Sequence, residues 1–147
     1  MGAKHVTFIE KDTTALNIAE QNWKNLKSEY SLEIPALFKN IDVVDLVNEN
    51  SEIKENVDTI VQNPPFGTKT EHADRTFLTQ ACKLSQVIYT CHKTSTDAFV
   101  RAFAKYNNYT ITHAWKTQFT LKQTMKFHTK NIQRIDVTWY RMKKNKP

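Results

Sequence analysis

Glycine is nearly missing from this chain: its 147 residues hold two, Gly2 and Gly67. A turn that brings backbone amides close against a phosphate needs several glycines. A glycine-rich nucleotide cradle is therefore excluded from these residues. Cysteine is equally sparse. Cys82 and Cys91 show no CxxC spacing and stand near no pair of histidines at zinc-ligand spacing. That excludes a disulfide framework, predicts no metal site, and fits reduced thiols in a cytoplasmic or nuclear protein. No apolar run approaches the roughly 20 residues of a membrane helix, and the first residues lack a signal-peptide core, so no membrane association is expected.

Acidic residues are scarce in the second half. Residues 74–147 carry 14 Lys/Arg against 3 Asp/Glu, whereas residues 1–73 carry 7 against 12. A basic half joined to an acidic one suits a polyanion on one face and a different ligand on another.

What is present alternates between strand and helix patterns. His5–Ile9 reads as a strand ending at Glu10, followed by a helix capped by Asp12 or Thr13, with Ala15, Leu16, Ala19, Trp23 and Leu26 at helical spacing. Residues 34–41 form a second apolar segment opened by Pro35, and the polar residues 48–56 read as a loop or a frayed helix. Val57–Val61 is a third strand, residues 74–83 a helix, residues 87–89 a fourth strand, and residues 94–106 a helix. The last third changes period. Tyr109-Ile111-His113-Trp115 and Ile135-Val137-Trp139 alternate with polar residues, as half-exposed strands do, with both tryptophans expected in the core. The pattern predicts an α/β fold, a parallel sheet closed by an antiparallel pair. One domain is expected over 1–142, with a disordered basic tail at 143–147.

Asn63-Pro64-Pro65-Phe66 follows a strand read as buried, at the carboxyl end where open α/β sheets place ligand chemistry. The residue types suit methyl transfer to an aromatic amine, a poor nucleophile because its lone pair is delocalised. The Asn63 side-chain oxygen and the Pro64 carbonyl are hydrogen-bond acceptors that would draw the amine toward tetrahedral geometry. Pro65 stiffens the loop, and Phe66 offers a flat face to an extruded base. Glu10, at a strand end before a capped helix, is placed to bind the hydroxyls of a ribose. His92, Lys93, Lys126, His128 and Lys130 lie in the basic half, in segments read as loops, and are candidate phosphate contacts as a group.

These segments together resemble a known family. Glu10-Lys11-Asp12-Thr13-Thr14, Asp58-Thr59-Ile60-Val61-Gln62 leading into Asn63-Pro64-Pro65-Phe66-Gly67-Thr68-Lys69, Tyr89-Thr90-Cys91-His92-Lys93-Thr94-Ser95 and Lys126-Phe127-His128 are similar to the methyltransferase-like protein five family. Its members are S-adenosylmethionine-dependent adenine N6-methyltransferases of small-subunit ribosomal RNA. The resemblance implies a Rossmann-like class I methyltransferase sheet and S-adenosylmethionine as cofactor. It places Glu10 on the ribose, Asp42 on the cofactor's adenine amine with Ile41 beside the ring, and Asn63 against both cofactor and target. Asp45 competes with Asp42 because the loop length differs from the family pattern. The implied partners are ribosomal RNA and a small zinc-binding methyltransferase activator protein.

One departure stands out. The family opens on a strand and a glycine-rich turn, and Met1-Gly2-Ala3 resembles the loop before its second strand. The expectation is a sheet lacking its first strand, unstable as these residues alone and poor at binding the cofactor. Two other functions stay open: an inert, truncated RNA-binding or scaffold protein, and an amine methyltransferase acting on guanine N2, DNA adenine or protein glutamine.

Overall fold

The computed structural model describes residues 3–47, 57–65, 73–122 and 132–146. The chain divides into two compact units, Met1–Lys54 and Glu55–Pro147.

In the first unit, strand β1 (Val6–Ile9) runs through helix α1 (Thr13–Tyr30) to the parallel strand β2 (Ala36–Lys39), with Phe8 opposite Phe38. Parallel neighbours need such a crossover, and the 18-residue helix supplies it. Asp12 is the cap: its Oδ1 accepts from the amides of Thr14 and Ala15 at 2.8 and 3.0 Å. The helix ends at Ser31, whose left-handed φ of 49° lets the Leu32 amide reach back to the Lys27 carbonyl. Phe8 stacks on Phe38 at 4.8 Å and meets Trp23 edge-on at 5.5 Å. Of the helix's apolar face only Leu16 is buried, and Leu26 stays exposed. A 3₁₀ turn, Val43–Asp45, follows β2.

The second unit is a four-stranded sheet in the order β3-β4-β6-β5. Strand β3 (Val57–Gln62) and strand β4 (Ser85–Lys93) are parallel and joined by helix α2 (Ala73–Leu84). A 3₁₀ turn (Thr94–Thr96) and helix α3 (Asp97–Tyr106) lead to strand β5 (Tyr109–Lys122), which pairs antiparallel with strand β6 (Ile132–Lys144); β6 also pairs antiparallel with β4. The antiparallel closing pair is the one the alternating sequence predicts.

The core gathers Leu78 and Ala81 of α2, Ile88 of β4, Val100, Phe103 and Ala104 of α3, Tyr109 of β5, and Tyr140 and Met142 of β6. Period two in β4 and β6 explains the choice. Ile88 faces Met142 and Thr90 faces Tyr140, so one side of the sheet meets both helices. Two buried phenols tie the layers together. The Tyr109 hydroxyl donates to the carbonyls of Ser85 and Cys82, and the Tyr140 hydroxyl donates to Asp97 Oδ1 at 2.8 Å. Asp97 also accepts from Arg101, which with Tyr140 holds its carboxyl below the ordinary carboxylate value. Burial raises the Tyr140 phenol to about 12.

Three expectations are corrected. Lys143 and Lys144 are not a disordered tail: they are the last residues of β6, opposite Thr110 and Tyr109. Beyond them Asn145 is pinned, its amide donating to the Asn108 carbonyl at 2.9 Å and its side chain to Asn108 Oδ1 at 3.0 Å. Trp115 is not core. It lies 47% exposed, stacked on His113 and Tyr89, because the bulge between Ile111 and His113 shifts the β5 register by one residue and turns His113 and Trp115 to the opposite face from Tyr109 and Ile111. Strand β3 is likewise an edge among the described residues, with Val61 exposed rather than buried. The segment 48–56 lies outside the described residues.

Candidate active site

Strand β3 stops where its sequence dictates. Its last pair is Gln62 opposite Thr90, and the next residues but one, Pro64 and Pro65, have no amide hydrogen with which to extend the ladder. Asn63 is left exposed at the carboxyl end of the parallel pair, Pro64 is buried beneath it, and Pro65 is exposed. Phe66 lies outside the described residues.

Behind this loop runs a chain of polar groups that the sequence pattern did not single out. The Gln62 amide donates to Thr90 Oγ1 at 3.2 Å, and Thr90 Oγ1 lies 2.8 Å from His92 Nε2. Thr90 Oγ1 thus joins Gln62 to His92, in a bond that a neutral imidazole can complete. Burial agrees. His92 is 2% exposed, and desolvation lowers its pKa to about 4 against a weak opposing pull from Asp74. The chain holds Gln62 immediately before Asn63 and so fixes the loop's point of departure.

His92 is therefore not a phosphate contact, as its loop-like sequence suggested; it is a buried, uncharged member of β4. Lys93, the last residue of β4, is half-exposed and borders an open pocket. Lys126, His128 and Lys130 lie outside the described residues.

The first unit carries the other candidates. Glu10 follows β1, and its Oε1 accepts from the Asp12 amide at 2.9 Å, which orients the carboxylate across the strand-to-helix turn. Asp42 caps the 3₁₀ turn. Its Oδ1 accepts from Val44 N at 3.2 Å, and its Oδ2 lies 3.2 Å from Lys11 Nζ. The Val44 amide, then Lys11, hold its carboxyl below the ordinary value. Ile41 is half-buried beside it, and Asp45 is exposed one residue past Val44.

Glu10 and Asp42 are brought together by a residue that sequence reasoning passed over. The Asn40 side-chain nitrogen donates to the carbonyls of Glu10 and Lys11 at 3.0 and 2.9 Å, while its oxygen accepts from Thr13 Oγ1 at 3.3 Å. One amide thus stitches the loop after β1 to the loop after β2. Its only sequence signal was position, a short polar residue directly after a strand. Replacing Asn40 by leucine is expected to cost about 1–2 kcal/mol, measured by denaturant unfolding, and to weaken any ligand held by Glu10 and Asp42 severalfold. A variant with unaltered ligand affinity would show that the two carboxylates do not act together.

Comparison with known proteins places these features in a family. Residues 1–123 match the family described as Conserved hypothetical protein 95. The chain belongs to that family. An uncharacterized protein of Methanocaldococcus jannaschii is 31% identical over 98% of this chain and 65% of its own length. The rRNA N(6)-adenosine-methyltransferase METTL5 of Danio rerio is 33% identical over 69% of this chain and 51% of its own. A candidate RNA methyltransferase from Pyrococcus horikoshii, of solved structure, superposes with a TM-score of 0.75 at 30% identity, covering 97% of this chain and 65% of that one. The chain thus spans about half to two thirds of the length of these relatives. The fold is Rossmann-like α/β, of the methyltransferase kind.

Proposed function

We propose that the protein is an S-adenosylmethionine-dependent methyltransferase acting on adenine N6 in RNA, with small-subunit ribosomal RNA as its substrate. The observation that carries this reading is Asn63-Pro64-Pro65 at the carboxyl end of β3, with Asn63 and Pro65 exposed on either side of a buried Pro64 and the loop backed by Gln62, Thr90 and His92. The zebrafish relative, named for that reaction on ribosomal RNA, supports it.

The residues present fit the adenosyl end of the cofactor. Glu10 and Asp42 present carboxyl oxygens already oriented by backbone amides, and each has more lone pairs than its neighbours use. Glu10 would hold the two ribose hydroxyls. Asp42 would accept from the adenine amine, with Ile41 against the ring. No glycine turn for the methionine end comes from this chain's two glycines. When bound, the cofactor supplies an electrophilic methyl group on a cationic sulfur.

The chain's own residues act on the target base. The Asn63 side-chain oxygen and the Pro64 carbonyl accept the two hydrogens of the exocyclic amine, pulling its lone pair out of conjugation and fixing its direction. Pro65 keeps those acceptors from relaxing, so no reorganisation is needed when charge develops on nitrogen. Phe66 stacks on the extruded base. No general base is required, because the alkylated amine is cationic and acidic enough to lose its proton to water. The zinc-binding activator would add a strand to the free edge of β2, which pairs with β1 alone among the described residues.

The test uses the full-length protein with methyl-labelled cofactor, offered unmethylated small-subunit ribosomal RNA, DNA, and glutamine-containing protein. Label recovered as N6-methyladenosine supports the reading. Label in guanine, in DNA or in protein overturns the substrate, and label in none of them overturns the activity.

A further inference from the structure

A second feature sits on the same edge of the second unit's sheet as Asn63. Lys93 is three residues beyond Thr90, the partner of Gln62, so in this parallel pair it lies on the side to which β3 delivers its loop. There Lys93, Thr94, Ser95, Arg134, Ile135 and Asp136 line an open pocket of about 480 Å³, within the size range of small-ligand sites. The antiparallel register of Lys93 opposite Val137 brings the start of β6 to the end of β4, which is why residues so distant in sequence share it.

The charges do not suit a bare phosphate. Lys93 and Arg134 are cations, and the Ser95 hydroxyl is exposed, but Asp136 shares the pocket and would repel an anion. Asp136 is also held in place: Gln118, its cross-strand neighbour, donates to Oδ1 at 2.8 Å. A ligand satisfying all three charges needs an anionic group for the cations and a hydroxyl donor for the carboxylate. A ribonucleotide unit has both, and its 2′-hydroxyl is the group by which proteins tell RNA from DNA.

We infer that this pocket binds the ribose-phosphate of a nucleotide flanking the target adenosine, Lys93 and Arg134 on the phosphate and Asp136 accepting from the 2′-hydroxyl. The inference rests on the RNA reading above and adds to it the group that discriminates against DNA. A deoxynucleotide leaves the carboxylate oxygen that Gln118 does not hold facing a carbon, covered by the sugar and without its hydrogen bond. Ile135 contributes the apolar wall along which the sugar lies.

The test measures binding of a short single-stranded RNA containing one adenosine target to the full-length protein, against the same RNA with single 2′-deoxy substitutions at each flanking position. Wild type is expected to lose about tenfold at one flanking position, the worth of a hydrogen bond to a charged group. Asp136→Ala should bind the all-ribose RNA about as weakly and show no further loss on deoxy substitution. Lys93→Gln with Arg134→Gln should flatten the salt dependence by about 0.7 in log–log slope, one phosphate's worth on a single strand. If wild type shows no deoxy penalty, or if Asp136→Ala keeps the full penalty, the pocket assignment falls while methylation of RNA by the same preparation leaves the proposed function standing. If wild type neither binds nor methylates RNA, both fall.

Discussion

Replacing Asn63 by alanine is expected to lower kcat for methyl transfer by about 10²–10³-fold, the usual cost of one pre-organised acceptor or donor at a reacting centre. The protein's stability and its affinity for the cofactor should change little. The reasoning is local. Asn63 is exposed and lies outside the β3 ladder, whose last pair is Gln62 with Thr90, so its removal empties no core. Steady-state kinetics on RNA, paired with cofactor binding and a thermal melt, separate the outcomes. Loss of kcat with the melt intact marks a group that acts on the reacting amine. A drop in kcat matched by a drop in stability would mean the asparagine merely shapes the turn. Asn63→Asp is a sharper probe. It keeps the shape and adds a charge, and it should lose most of the rate if a neutral, correctly aimed acceptor is what the amine requires.

The second large effect is a pH dependence of stability centred on His92. Burial holds its pKa at about 4 in the folded protein, against an ordinary value of 6.5. Below pH 6.5 the unfolded chain takes up a proton that the folded chain refuses, so stability is complete above that pH and falls as the pH drops toward 4. The difference corresponds to about 3 kcal/mol, a large share of a small domain's stability. Asp42 and Asp97 act in a separate window. Their carboxyls are held below the ordinary 3.8, so the stability they contribute is present above it and lost only in stronger acid. Urea unfolding between about pH 7 and about pH 4.5 should therefore show a falling midpoint, and His92→Gln should flatten that slope even though it lowers stability at neutral pH. An equal slope in both proteins would assign the effect to other groups.

Much of this architecture was legible in the residues. Strand and helix order followed from period two and period 3.6, and the paired prolines after β3 announced where it ends. The Asp12 cap was legible because its side chain competes for the first helical amides. What failed did so because periodicity shows neither a bulge nor what covers a face. Trp115 alternates with Tyr109 and Ile111 in sequence, yet the bulge before His113 turns it to the other face, and Val61 sits in an apolar run yet is exposed in a strand that is an edge among the described residues. His92 looked like a surface base because β4 runs four residues further than the apolar signal Val87–Tyr89 implies; its neighbour Thr90 supplies the hydrogen bond that lets a histidine stay buried. Asn40 carries no local signal beyond its position after a strand, and Gln62 carries none. Their importance comes from contacts 27–30 residues away in sequence, which only the fold creates.

The scarcity of thiols noted in the sequence has a consequence in the folded chain. Both cysteines belong to the second unit, Cys91 fully buried in β4 and Cys82 partly buried in α2 with burial pushing its thiol up to about 11. Thiolate is the species that alkylating reagents attack, and the native fold suppresses it at one position and shields it at the other. The buried Cys91 therefore keeps time on the opening of that sheet, reacting at the rate at which β4 comes away, while the partly buried Cys82 reacts slowly in the native chain and faster once α2 loosens. The first unit, with no cysteine among its residues, stays silent in such a measurement. Nature has left a gated reporter on one half of the molecule and none on the other.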